Sequence, residues 1–185
     1  MTLDSFNFSK KHNCVWIAPP RTGTRGLTQI LNFLGFQYKS KPVFTFTNYN
    51  FTHECPSEEN LVGIETLISV RNPYGRLYSL YTNYFESQRN VSFRDYVLGL
   101  TYKDLEHQAF KYFQIKPTYF VRLENQLEDL LNIPFVRDTI NERQLRLMTR
   151  HSKEIYKWEN EYDDDMKEIV YNLMKNQFEN FGYKK

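Results

Sequence analysis

The stretch CVWIAPPRTGTRGLTQIL, Cys14 to Leu31, decides the architecture. Its first five residues, Cys14–Ala18, form an apolar run short enough for a strand covered on both faces. The turn PPRTGTRG follows, and the apolar spacing of Gly26–Leu34 then predicts a helix. A strand that runs through a tight turn into a helix aims backbone N–H groups and the positive end of the helix dipole at the loop. That is a seat for a phosphate or sulfate. Gly23 lets the backbone approach an oxyanion closely, Thr22 and Thr24 bring hydroxyl donors, and Arg21 and Arg25 bring permanent positive charge.

The turn is not that of a nucleotide hydrolase. Such a loop reads G-x-x-x-x-G-K-[ST], with the lysine on the phosphates and the hydroxyl on Mg²⁺. Here Ala18 stands five positions before Gly23, and Thr24-Arg25 stands where Lys-Ser/Thr is required. A plain strand-to-helix turn with solvated arginines is written with the same letters.

Apolar runs bounded by turn residues recur at Thr66–Val70 and Thr118–Arg122, and a further strand is expected at Val43–Phe46. Helical patterns lie between and after them, at Pro73–Ser87, Phe93–Leu100, Leu105–Phe113 and Glu124–Leu131. Near the C-terminus Tyr162, Met166, Ile169, Val170, Leu173, Met174 and Phe178 recur at three- and four-residue steps, one face of a long helix. Alternating strands and helices predict an α/β layer sandwich on a mainly parallel sheet, whose ligands bind beyond the carboxyl ends of the strands. Repeats, low-complexity tracts and linkers are absent, so residues 1–185 read as one domain.

The third predicted strand ends in LISVRNPYGRLYSLY. A metal-dependent nucleotide hydrolase places an acid near this point to hold Mg²⁺. This chain has Arg71, with Arg76 five residues on and Ser79 eight residues on, in the second turn of the helix opened by Pro73. Arg71 and Ser79 can converge on a second anion. An arginine that caps a helix or pairs with a surface acid explains Arg71 equally well when it is taken alone. Together the two stretches describe a ligand with two separated anionic ends.

The pair resembles the nucleotide motifs of sulfotransferases that use 3′-phosphoadenosine 5′-phosphosulfate (PAPS). The first stretch is similar to their 5′-phosphosulfate loop, P-[KR]-[ST]-G-T between strand and helix. The second is similar to their 3′-phosphate motif, Arg-Asn-Pro with a serine eight positions after the arginine. The carbohydrate sulfotransferases, which often show Arg-Thr-Gly-Thr, are nearer than the phenol and steroid enzymes. FVRLENQLEDL after the fourth predicted strand and the ending YDDDMKEIVYNLMKNQFENFGY resemble them as well.

The resemblance implies a three-layer P-loop-NTPase-like fold with a central, mainly parallel sheet of four to five strands flanked by helices. It implies PAPS as co-substrate without a metal, and transfer of the sulfuryl group to a hydroxyl or amine, that of a saccharide included. Arg21 would stand beside the transferring group, Thr22, Gly23, Thr24 and Arg25 would form the 5′-phosphosulfate loop, and Arg71 and Ser79 would bind the 3′-phosphate. Two positions depart from the family: Arg25 replaces a second threonine, and Gly26 replaces the tryptophan that stacks on adenine in the cytosolic enzymes. The chain is also shorter than most members.

The acceptor needs a base, and histidine suits because its ordinary pKa lies near neutrality. His53, in FTHECP between the two motifs, is the first candidate, where the family commonly keeps its base; Glu54 follows and Glu65 is third. His151, with Arg150, Ser152 and Lys153, lies in a stretch that approaches nucleotide or acceptor in related enzymes, whereas His12 and His107 read as surface residues. A P-loop kinase or hydrolase, or a non-catalytic nucleotide-binding module, are the competing readings.

The net charge of +2 is too small for nucleic-acid or membrane binding through an overall field. Two cysteines make neither a disulfide framework nor a metal site, so reduced thiols and a cytoplasmic location are expected. No apolar leader and no run of 18 apolar residues is seen, which predicts a soluble, unanchored chain.

Overall fold

The computed structural model describes residues 3, 6–37, 53, 55–85, 91–105, 111–149 and 158–185. Among these, four strands form one sheet in the order β1-β2-β3-β4: β1 Asn7–Ser9, β2 Cys14–Ile17, β3 Glu65–Val70 and β4 Tyr119–Arg122. β1 pairs antiparallel with β2, and the β2–β3 and β3–β4 pairs are parallel. The architecture is α/β, with helices flanking a mixed sheet. Three strands match expectation to within a residue or two at each end. β1 was not foreseen, and Val43–Phe46 lies outside the described residues.

Register sets where the strands end. Ile17 is opposite Ile68, and Val70 is opposite Arg122. The carboxyl ends of β2, β3 and β4 thus finish within two residues of one another, and the loops that leave them share one edge of the sheet.

Strand alternation divides the core between two faces. Cys14, Trp16, Leu67 and Val121 face one side, where Leu27, Ile30, Leu31 and Leu34 of helix α1 (Thr24–Phe33) pack with Leu130, Ile133, Val136 and Leu145. Val15, Ile17, Ile68 and Val70 face the other, against Phe6, Tyr112, Phe113 and Phe181. Because both faces are covered, all four side chains of β2 are buried, as its unbroken apolar run demands.

The helices after α1 are α2 (Pro73–Leu80), α3 (Phe93–Leu98), α4 (Tyr102–Leu105), α5 (Lys111–Gln114), α6 (Gln126–Leu131), α7 (Pro134–Arg137), α8 (Glu142–Thr149) and α9 (Asp164–Phe181). α2 widens into a π-helical turn at Tyr81–Phe85. The helix expected over Leu105–Phe113 is seen only at its ends, in α4 and α5, with residues 106–110 outside the description. α7 and α8 were not foreseen. α9 follows its apolar pattern but is kinked at Met174, whose φ of −117° and ψ of 19° are not helical: Asp163 caps it by accepting from the Met166 N–H at 2.9 Å, and Met166, Val170, Met174 and Phe178 lie buried. Those four pack with Tyr74 and Leu77 of α2 and Val97 of α3. No described helix is long and apolar enough to cross a membrane.

Candidate functional site

The loop after β2 is built by two left-handed residues. Arg21 has φ 67° and Gly23 φ 78°. Between them the Thr22 side chain is fully buried, and its hydroxyl donates to the Pro19 carbonyl at 2.7 Å. In this conformation Thr22 shapes the turn from inside. Gly23 is the N-cap of α1; no side chain caps the first turn and no acid lies in it. The leading N–H groups of a helix have no partner within the helix, so this start offers backbone donors without a competing carboxylate. Thr24 is buried at the first helical position, and Arg25 is exposed.

Gly23 also has a packing reason to lack a side chain. A Cβ there would lie 2.3 Å from Leu123 Cδ1 at the end of β4. We expect Gly23→Ala to destabilise the protein by about 1–3 kcal/mol, mainly through the left-handed backbone because the leucine can turn partly aside. Thermal unfolding checks this, and adding Leu123→Ala should restore only the steric part.

The second stretch meets the first. Arg21 Nε donates to Ser79 Oγ at 2.9 Å, and Ser79 is fully buried on α2. Arg76 Nε donates to the Pro20 carbonyl at 3.1 Å. Arg76 is only 1% exposed, with its guanidinium over the Phe113 ring at 5.3 Å. Burial, with a smaller contribution from Arg71, pulls its pKa down to about 10, so it remains charged at neutral pH. A buried cation held by a carbonyl and an aromatic face fixes the height of the loop above α2.

Arg71 leaves β3 and is buried. The two residues after it open α2: the Asn72 side chain accepts the Tyr74 N–H at 3.0 Å, and Pro73 takes the first helical position. Glu124, beyond β4, secures this corner. Its Oε1 accepts the Asn72 N–H and its Oε2 accepts the Tyr183 hydroxyl, both at 2.9 Å. The LEN and FGY segments quoted from the sequence thus hold the second loop. Arg122 beside them is engaged by Asp129 through Nε at 2.9 Å and Nη2 at 2.7 Å.

His53 comes to the same edge. Its Nδ1 lies 2.5 Å from the Ala18 carbonyl oxygen. A carbonyl only accepts, so Nδ1 carries the hydrogen, and in the neutral ring the lone pair resides on Nε2. Tyr112 donates its hydroxyl to the His53 carbonyl at 2.5 Å, pinning the residue from α5. The residue keeps solvent access, yet the ring edge drawn against the strand end is desolvated. Desolvation lowers its pKa below the ordinary 6.5, opposed by the hydrogen bond to Ala18.

Of the predicted residues, Arg21, Thr22, Gly23, Thr24, Arg25, His53, Arg71 and Ser79 therefore sit on one sheet edge and its loops. Glu54, Arg150, His151, Ser152, Lys153 and His107 lie outside the described residues. Glu65 is at the amino end of β3, accepting the Tyr119 hydroxyl at 3.2 Å. Five strand steps of ~3.3 Å put it about 16 Å from the carboxyl end, too far to serve there. His12 stacks on Phe135 at 4.6 Å before β2, also away from the site.

Sequence reasoning missed Trp158, which packs against Gly75 of α2, and the supporting roles of Arg76 and Tyr112. Each depends on a contact between residues distant in the chain. Among the described residues, no group of three or more His, Cys, Asp or Glu side chains is placed to hold a metal ion. No protein-family model, curated protein or solved structure matches the chain.

Proposed function

We propose that this cluster is the nucleotide site of a PAPS-dependent sulfotransferase, on a three-layer fold of the P-loop-NTPase kind. The observation that carries the reading is the joining of the two cationic loops, Arg21 to Ser79 and Pro20 to Arg76. A single ligand with a 5′-phosphosulfate and a 3′-phosphate has its two charged ends to place on one sheet edge. The α1 start with Arg21 suits the first, and Arg71 with Ser79 suits the second.

The chemistry follows from that placement. The acceptor's hydroxyl or amine gives its proton to His53 Nε2 as it attacks sulfur. The bond between sulfur and the bridging oxygen of the 5′-phosphate breaks, and the charge passes to the phosphate of 3′-phosphoadenosine 5′-phosphate (PAP). Arg21 and the first-turn N–H groups stabilise that leaving phosphate. PAPS is already activated, so the protein's main tasks are alignment and charge stabilisation. The acceptor is a small molecule or a saccharide.

Calorimetric titration with PAP in EDTA tests the reading: saturable one-to-one binding is expected, unchanged by Mg²⁺. Absence of PAP binding together with Mg²⁺-dependent ATP turnover would refute it. The lowered pKa of His53 adds a pH prediction. The base works only when neutral, so the transfer rate is flat above about pH 6.5 and falls as pH drops through a pKa below that value. A rate profile with its acid limb clearly above 6.5 would exclude His53 as the base.

A further inference from the structure

Gly75 lies in the first turn of α2 with no left-handed backbone to justify it, although glycine is a poorer helix former than alanine. The reason is space. A Cβ there would come within 2.7 Å of Trp158 Nε1 and 2.8 Å of its Cδ1, and within 3.3 Å of Arg71 Nε. The indole N–H and the guanidinium therefore flank the same helix position, with the two nitrogens no more than about 6 Å apart. The indole is held in place: it stacks on Tyr74 at 5.5 Å and 27° and meets the edge of Tyr162 at 6.1 Å and 82°. Trp158 is only partly buried. An indole nitrogen donates and never accepts, so two fixed donors beside one helix position invite a shared acceptor, and a phosphate monoester with three anionic oxygens can serve both.

We infer that Trp158 is a further ligand of the phosphate bound by Arg71, donating its Nε1–H to a phosphate oxygen. This rests on the nucleotide reading above and adds a residue to the 3′-phosphate end of the site. The chain has two tryptophans, and Trp16 is 1% exposed in the core, so a ligand-induced change in indole emission reports on Trp158. Trp158→Phe keeps an aromatic ring against Gly75 and Tyr74 while removing the donor. Loss of a hydrogen bond to a charged group should weaken PAP binding about tenfold or more. Affinity for adenosine 5′-monophosphate, which lacks the 3′-phosphate, should be unchanged, and the emission change on PAP binding should vanish.

Equal weakening for both nucleotides would mean a merely structural role and would overturn the inference, as would unaltered PAP affinity. If the unmodified protein binds no PAP, the sulfotransferase reading falls, and inorganic phosphate becomes the probe. Calorimetric phosphate affinity that Trp158→Phe weakens about tenfold would then keep the anion contact, and unaltered affinity would dismiss it.

Discussion

Arg71→Ala is expected to abolish PAP binding, with affinity falling about thirtyfold or more. The proposed 3′-phosphate end depends on a guanidinium fixed by burial at the end of β3. A planar fork that bonds two phosphate oxygens has no substitute in a methyl group, and losing a buried charge-assisted pair costs about 2–5 kcal/mol. Helix α2 should survive, because its start is set by Asn72, Pro73 and Glu124. Circular dichroism on the variant separates lost binding from lost fold. Arg71→Lys keeps the charge without the fork and should fall between the two. Unchanged calorimetric affinity in the alanine variant would remove the second loop from the site.

His53→Ala should reduce sulfuryl transfer by about 10²–10⁴-fold, the usual contribution of a positioned general base. PAP affinity should stay within about twofold, because His53 contacts the loop through the Ala18 carbonyl and not through the phosphate donors. PAP formation from PAPS, with an acceptor or with water, gives the rate, and calorimetry gives the affinity. A variant with full turnover would pass the role to Glu54. Loss of affinity in step with turnover would instead make His53 a loop support.

Much of this site was legible because its determinants are local. The fully buried β2, the Pro-Pro exit, Gly23 and the 27-30-31-34 apolar face lie within 21 residues. The helix starts two residues before the expected Gly26 because Gly23, in a left-handed conformation, already serves as its cap. The Arg71-to-Ser79 interval was readable for the same reason, since Pro73 sets the helix phase. β1 gave no signal: three residues, Asn-Phe-Ser, are too few to show alternation, and buried Asn7 and Ser9 obtain their partners from Trp16 and Leu34. α7 and α8 were hidden by their shortness and by the charges of Glu142, Arg143 and Arg146.

What decides the site's finer geometry is non-local. Thr22 reads as an anion ligand until the fold turns its hydroxyl onto Pro19. Arg76 has no assigned role in the sequence until Phe113 and Pro20 enclose it. The proton position on His53 follows from Ala18, 35 residues away. Trp158 acquires meaning only through Gly75. In each case the partner is supplied by sheet register and helix packing, which no spacing within one segment encodes.

The most direct test is a crystal structure with PAP bound. A single nucleotide should span the edge, its 5′-phosphate on the first-turn N–H groups of α1 with Arg21, and its 3′-phosphate on Arg71 and Ser79, without magnesium. A nucleotide seated elsewhere, or phosphates at the two loops belonging to separate molecules, would contradict the account.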